Sequence, residues 1–154
     1  MGRLRQEIKQ SKRFRSAEEE VFLNLQRTAD VLARSMEEAV KPAGLSNAQY
    51  NVLRILRGVG SSGLACREIG QRMISHDPDV TRLLDRLEAR GLITRSREKG
   101  DRRVVTTRIT NEGRSVLQLL ERPVQEALRR QLGHFGKKRL RRLTELLELA
   151  RTHS

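Results

Sequence analysis

Tryptophan is absent from this 154-residue chain, and one tyrosine and three phenylalanines are its only aromatic side chains apart from histidine. Proteins that hold single-stranded nucleic acid stack bases on such rings, so the shortage argues against that class. A single cysteine, Cys66, excludes an intramolecular disulfide and any cysteine-rich zinc site. The three histidines, His76, His134 and His153, lack partners at metal-ligand spacing, and no nucleophile motif surrounds the Ser, Asp and His residues. No metal, cofactor or enzymatic activity is therefore expected. No apolar run approaches a membrane span and no leader pattern is present. The opening MGRLRQ lacks the Ser or Thr of a myristoylation site. These absences read as a cytoplasmic protein with no membrane partner.

What the chain has in excess is positive charge. Thirty-two Lys and Arg stand against nineteen Asp and Glu, a net charge of +13. Such an excess points to a polyanion, nucleic acid first and an anionic membrane surface second. The plainer alternative is a soluble, arginine-rich protein, and the placement of the charges decides between them.

The central stretch is the most legible. Ser46 and Gln49 are spaced as a capping box, with Leu45 and Tyr50 as a hydrophobic staple, ahead of Val52, Leu53 and Leu56. Gly58 to Gly63 reads as a loop. Two short helices follow, the first with Ile69 and Met73 on one side. Its start is weak, because Ala65 occupies the cap position although Glu68 stands where a box acid would. Asp77-Pro78 predicts the second helix start, with Asp as N-cap and Pro at the first helical position. Val80, Leu83, Leu84 and Leu87 then form an apolar face, and Gly91 ends the helix.

ITRSREKGDRRVVTTRIT reads as a β-hairpin turning at Lys99-Gly100-Asp101. Thr110 is the predicted cap of a long helix carrying Val116, Leu117, Leu120, Val124 and Leu128, which Pro123 should kink or split.

A helix followed at once by a basic-tipped hairpin is the outline of a winged helix-turn-helix. In such a module the N-terminal residues of the second helix reach base edges in the major groove. Pro78, Asp79, Thr81 and Arg82 are the candidates here, and Arg86, one turn on, is placed for a phosphate. Asp79 is awkward beside phosphates. It either stabilises the helix dipole, the favoured reading, or accepts from a cytosine amine. His76 either touches a phosphate or is simply solvated. At the hairpin tip, Lys99, Arg102 and Arg103 suit a narrow minor groove, where negative potential is enhanced. Asp101 and Arg103 also form a candidate surface ion pair, by which Asp101 holds Arg103 in place.

The flanks are helical. Residues 1 to 15 carry six basic residues against Glu7, either as a disordered arm or as a solvated helix extension. Ser16 and Glu19 predict a capped long helix with Leu25, Ala29, Leu32, Met36 and Ala39 on one stripe, ended by Pro42 and Gly44. After a turn at Gly133 to Gly136, a last helix shows Leu140, Leu143, Leu146 and Leu147. A helix–helix contact explains that stripe better than a membrane surface does. The chain thus divides into residues 1–44, 45–110 and 111–154. The terminal helices carry more apolar surface than the central module can cover, which predicts a homodimer. Leu25, Leu32, Val124, Leu128, Leu140, Leu143 and Leu147 are its candidate contacts.

DRRVVTTRITNEG resembles the wing signature of the MarR family, in which D-x-R is followed by L-T-x-x-G. Asp101 and Arg103 supply the first part, Ile109-Thr110 stands for Leu-Thr, and Gly113 closes it. VTRLLDRLEARGLITR is likewise similar to the family's recognition helix and first wing strand. The resemblance implies a mainly α fold with a small hairpin wing, and a homodimer of intertwined terminal helices reading a palindrome in double-stranded DNA. It also implies Arg103 in the minor groove, and a crevice for a small phenolic or lipophilic effector that releases a repressor. One branch of the family senses oxidants through a cysteine in its first helix. This chain has none there, and Cys66 reads as a half-buried structural thiol. The alternatives are a non-specific architectural DNA protein and a winged helix used for protein interaction.

Overall fold

Seven helices and three short strands make up the computed structural model, which describes residues 2–152; His153 lies outside them. In chain order they are α1 (Leu4–Glu7), α2 (Ala17–Val40), α3 (Asn47–Val59), β1 (Leu64–Ala65), α4 (Cys66–Arg72), α5 (Val80–Ala89), β2 (Ile93–Arg97), β3 (Val105–Ile109), α6 (Asn111–Leu132) and α7 (Gly136–Arg151). No helix among the described residues is long and apolar enough to cross a membrane. The chain forms two compact units that divide after Ser35, within α2.

The N-terminal unit takes neither form expected of its basic arm. α1 is a single helical turn with Leu4 buried, after which Lys9 adopts a left-handed backbone (φ 53°). Ser16 caps α2 by accepting from the Glu19 N–H at 3.1 Å. The Glu19 carboxylate reaches back to the Arg15 N–H instead of that of Ser16, so the box slips by one residue. Val21, Phe22, Leu25 and Val31 remain 57%, 58%, 38% and 40% exposed.

In the second unit the core lies between the sheet and α3, α5 and α6. Val52, Leu53, Leu56, Ile69, Leu84, Leu87, Leu92, Ile93, Leu117, Leu120 and Val124 are all buried there. Each such side chain stabilises the fold by roughly 1.5–3 kcal/mol relative to exposure. The Ser46–Gln49 box forms both ways, Ser46 Oγ accepting at 3.2 Å and Gln49 Oε1 at 2.9 Å. α3 runs through Gly58, where the sequence suggested loop, and a 3₁₀ turn at Gly60–Ser62 follows. At α4 only half a box is present. Glu68 accepts from the Ala65 N–H at 2.9 Å, and alanine has nothing to return.

The hairpin is joined by a third strand that the sequence did not reveal. The sheet order is β1-β3-β2, antiparallel throughout, with Ile93 opposite Ile109 and Leu64 opposite Thr107. Gly63 permits the extra pairing, because a Cβ there would stand 2.6 Å from the Thr107 carbonyl oxygen.

α6 begins at Thr110, whose Oγ1 accepts from the Gly113 N–H at 3.1 Å and donates to the Gly91 carbonyl at 2.7 Å. A Cβ on Gly113 would collide with the Leu92 carbonyl oxygen, which explains glycine at that position. Pro123 does not split α6. It removes the one N–H that would reach the Leu119 carbonyl, and burial of Leu120, Val124 and Ala127 around it holds the helix. α7 has no buried residue: Leu140, Leu143 and Leu147 are half-buried, while Leu146 and Leu149 are 48% and 60% exposed.

Candidate nucleic-acid interface

α5 starts two residues later than the Asp-Pro pair suggested. Asp79, in a non-helical conformation (φ −132°, ψ 61°), is the cap, and its Oδ1 accepts from the Arg82 N–H at 3.1 Å. Asp77 closes the turn before it, accepting from the Asp79 N–H at 2.8 Å, and Pro78 lies outside the helix. The correction has a physical cause. Two aspartates flank the proline, either able to cap, and once Asp77 takes the Asp79 N–H only Asp79 is left to meet the first turn. The same contacts account for negative charge at this end of α5, since both carboxylates are occupied by backbone donors.

Thr81, Arg82 and Arg86 are exposed on the outer side of α5, opposite the buried Leu84 and Leu87. Arg82 and Arg86 share a shallow hollow with Asp77, Asp79 and Leu83. Cys66 Sγ is half-buried at the start of α4, 3.9 Å from Thr81 Oγ1. His76 is exposed in the preceding loop.

The wing tip is held from within its own backbone. The Glu98 N–H donates to the Val104 carbonyl at 3.2 Å, and the Val104 N–H donates to the Asp101 carbonyl at 3.1 Å. Asp101 does steady Arg103, though not through an ion pair: its carboxylate accepts from the Arg103 backbone N–H at 3.0 Å. The Arg97 guanidinium donates to the Arg102 carbonyl. Lys99, Arg102 and Arg103 all have exposed side chains.

Three arginines that the sequence reading passed over tie this surface together. Arg95, on β2, donates from Nη2 to Asp85 at 2.6 Å and to Glu88 at 3.0 Å, while its N–H donates to Glu88 at 3.0 Å. The hydrogen bond from Arg95 holds the Glu88 carboxyl below its ordinary range, and the same contact raises Arg95. Arg108, on β3, reaches the Ser61 carbonyl, Ser96 Oγ and Glu98. Glu98 is lowered by its hydrogen bonds to the Thr106 hydroxyl and to Arg108. Arg90 donates to the carbonyls of Ala43 and Gly44 at 2.7 and 2.9 Å, fixing the end of α5 to the segment before α3. A signal for Arg95 exists: it sits two residues after the buried Ile93, on the same strand face, behind a helix with acids at i and i+3. The spacing puts basic charge on the outer helix face and wing tip, with their mutual placement set by Arg95.

The candidate dimer residues divide. Leu25 and Leu128 are 38% and 39% exposed, and Leu32, Leu140, Leu143 and Leu147 are half-buried. Val124 is not available to a partner, because at 6% exposure it belongs to the core of its own chain.

The MarR family profile matches residues 45–105, the span from the α3 cap to the start of β3. A solved MarR transcription factor from Planctomyces limnophilus is 43% identical, with a TM-score of 0.69 covering 89% of this chain and 99% of that one. The HTH-type transcriptional repressor MdtR of Bacillus subtilis is 36% identical over 94 residues, which are 61% of this chain and 59% of the repressor. The chain thus spans about three fifths of that relative's length. A mutant MarR from E. coli, solved in complex with operator DNA, has the same fold at 21% identity, with a TM-score of 0.75 over 82% of this chain and 90% of that one. Profile, whole-length structural match and residue-level wing signature agree: the chain belongs to the MarR family.

Proposed function

We propose that this protein is a sequence-specific regulator of transcription that binds double-stranded DNA as a homodimer, a repressor released by a small ligand. The observation that carries the reading is the joint exposure of Thr81, Arg82 and Arg86 on α5 and of Lys99, Arg102 and Arg103 on the wing, with Arg95 bridging the two elements. α5 enters the major groove, where Arg82 pairs with a guanine edge and Thr81 meets a thymine methyl or a phosphate. Arg86 neutralises a phosphate. Arg103, with its backbone held by Asp101, enters the adjacent minor groove, where A·T-rich sequence concentrates negative potential.

Dimer formation is supported by the apolar side chains left uncovered on both terminal helices, among them Val21, Phe22 and Leu25 on α2 and Leu146 and Leu149 on α7. Two copies related by a twofold axis present two α5 helices to half-sites about one helical turn apart. For the effector, family membership supports a phenolic or lipophilic molecule.

The test is selection of bound duplexes from a random pool, followed by affinity measurements on the winning site at fixed salt. A palindrome bound about 10³-fold or more tighter than random duplex is expected. Equal affinity for both would leave only a non-specific, charge-driven DNA protein.

A further inference from the structure

The N-terminal unit forms a cavity of about 820 Å³, lined by Arg3, Arg5, Lys9 and Arg13 with Phe14 and Glu20 among its other walls. The chain is folded to make it. The left-handed Lys9 reverses the backbone, the Gln10 N–H donates to the Arg5 carbonyl at 2.9 Å, and Arg5 Nη2 donates to the Ser11 carbonyl at 2.6 Å. Four cations therefore line one hollow and do not spread along an extended arm. The nearby acids do little to neutralise them. Glu7 is directed to Arg27 at 3.9 Å and Glu19 to the Arg15 N–H, which leaves Glu20 as the one carboxylate in the lining. Arg5 Nε, moreover, is buried with no acceptor among the described residues.

We propose that this cavity is a binding site for a small organic anion with an aromatic or alkyl body, built from residues other than those on α5 and the wing. The volume lies in the range of sites for discrete ligands, roughly 300–1,000 Å³, and far exceeds what inorganic phosphate would fill. The half-buried Phe14 offers an apolar wall, and the guanidinium groups offer charge-assisted hydrogen bonds to carboxylate, sulfonate or phosphate oxygens. A duplex presents its phosphates on a stiff convex ridge, to which a concave hollow on a folded-back chain is poorly matched.

The experiment uses the full chain without DNA, so the outcome does not depend on the regulatory reading. The probes are 1-anilinonaphthalene-8-sulfonate and its uncharged counterpart N-phenyl-1-naphthylamine, which lacks the sulfonate. In the double variant Arg5→Gln/Arg13→Gln, affinity for the sulfonate should fall about tenfold or more. Affinity for the uncharged dye should be unchanged. Lys137→Gln/Lys138→Gln, an equal charge change on α7, should leave both dyes unaffected. Because Arg5 also holds the Ser11 carbonyl, Arg3→Gln/Lys9→Gln provides a second cavity variant that leaves that bond in place, and it should weaken the sulfonate likewise. Equal losses in the cavity and α7 variants would reduce the effect to net charge. Unchanged sulfonate binding in both cavity variants would place the dye elsewhere. Either result overturns the proposal.

Discussion

The winged module and the helices that flank it handle their side chains in opposite ways. Between Ser46 and Thr110, the large apolar groups other than Ile74 and Val104 are buried or half-buried inside the chain, and polar groups at the joints have named partners: Gln49 with Ser46, Arg95 with Asp85 and Glu88, Arg108 with Ser61, Ser96 and Glu98. On α2 and α7 the apolar stripes are equally regular, yet Val40 is the one buried residue in those two helices. The module, with α6 closing its core, is thus complete in one chain, whereas α2 and α7 carry surface that one chain leaves uncovered. A stripe at helical spacing tells that a face must be buried, and it does not tell whose surface does the burying.

That contrast can be tested by substitutions, and the largest effect belongs to the module. Leu84→Ala should destabilise the protein by about 2–5 kcal/mol in urea denaturation, with little dependence on protein concentration, since its cavity opens inside one chain. Leu146→Asp on α7 should act differently, lowering the melting temperature most in dilute samples and shifting sedimentation toward monomer. A concentration-independent loss there would erase the distinction between the two regions.

Next in size are the contacts proposed with DNA. Arg82→Ala and Arg103→Ala should each weaken the selected operator by about 1–3 kcal/mol at fixed salt, the second most on A·T-rich flanks. Arg86→Ala should weaken all duplexes alike and lower the salt slope by about 1. Helix caps come third. Ser46→Ala and Thr110→Ala should each cost about 1 kcal/mol of thermal stability without altering dimer dissociation.

The smallest effect concerns pH. Arg95 holds Glu88 below its ordinary value in the folded chain, so the contact stabilises fully above the unfolded carboxylate range and is lost as pH falls through the folded value. Urea midpoints measured from neutral to acid pH should decline slightly less in Arg95→Ala than in the parent. The difference should stay under about 1 kcal/mol, because the Glu88 and Asp85 side chains are 40% and 59% exposed.

Much of the module was readable because its signals are local. Ser46 and Gln49, three residues apart, suffice for a cap, and Val52, Leu53 and Leu56 suffice for a buried side. β1 escaped because two residues carry no periodicity, and its pairing depends on Thr106 and Thr107, more than forty positions away. The start of α5 was displaced because Asp77 and Asp79 are equally good caps until the turn forms. Arg95 was overlooked for another reason: its signal, the strand face shared with Ile93 and the acids at Asp85 and Glu88, acquires meaning only once the helix is known to lie behind that strand. Val124 shows the converse error, since its stripe position suited a partner and its own core took it.

The junction at Gly113 has a mechanical consequence. With Thr110 bonded to both Gly91 and Gly113, and no room for even a methyl group against Leu92, the first turn of α6 has no slack relative to the loop that ends α5. α6 therefore works as a lever whose short arm is fixed to α5. A displacement carried along α6 is expected to reach the loop that ends α5 through these contacts.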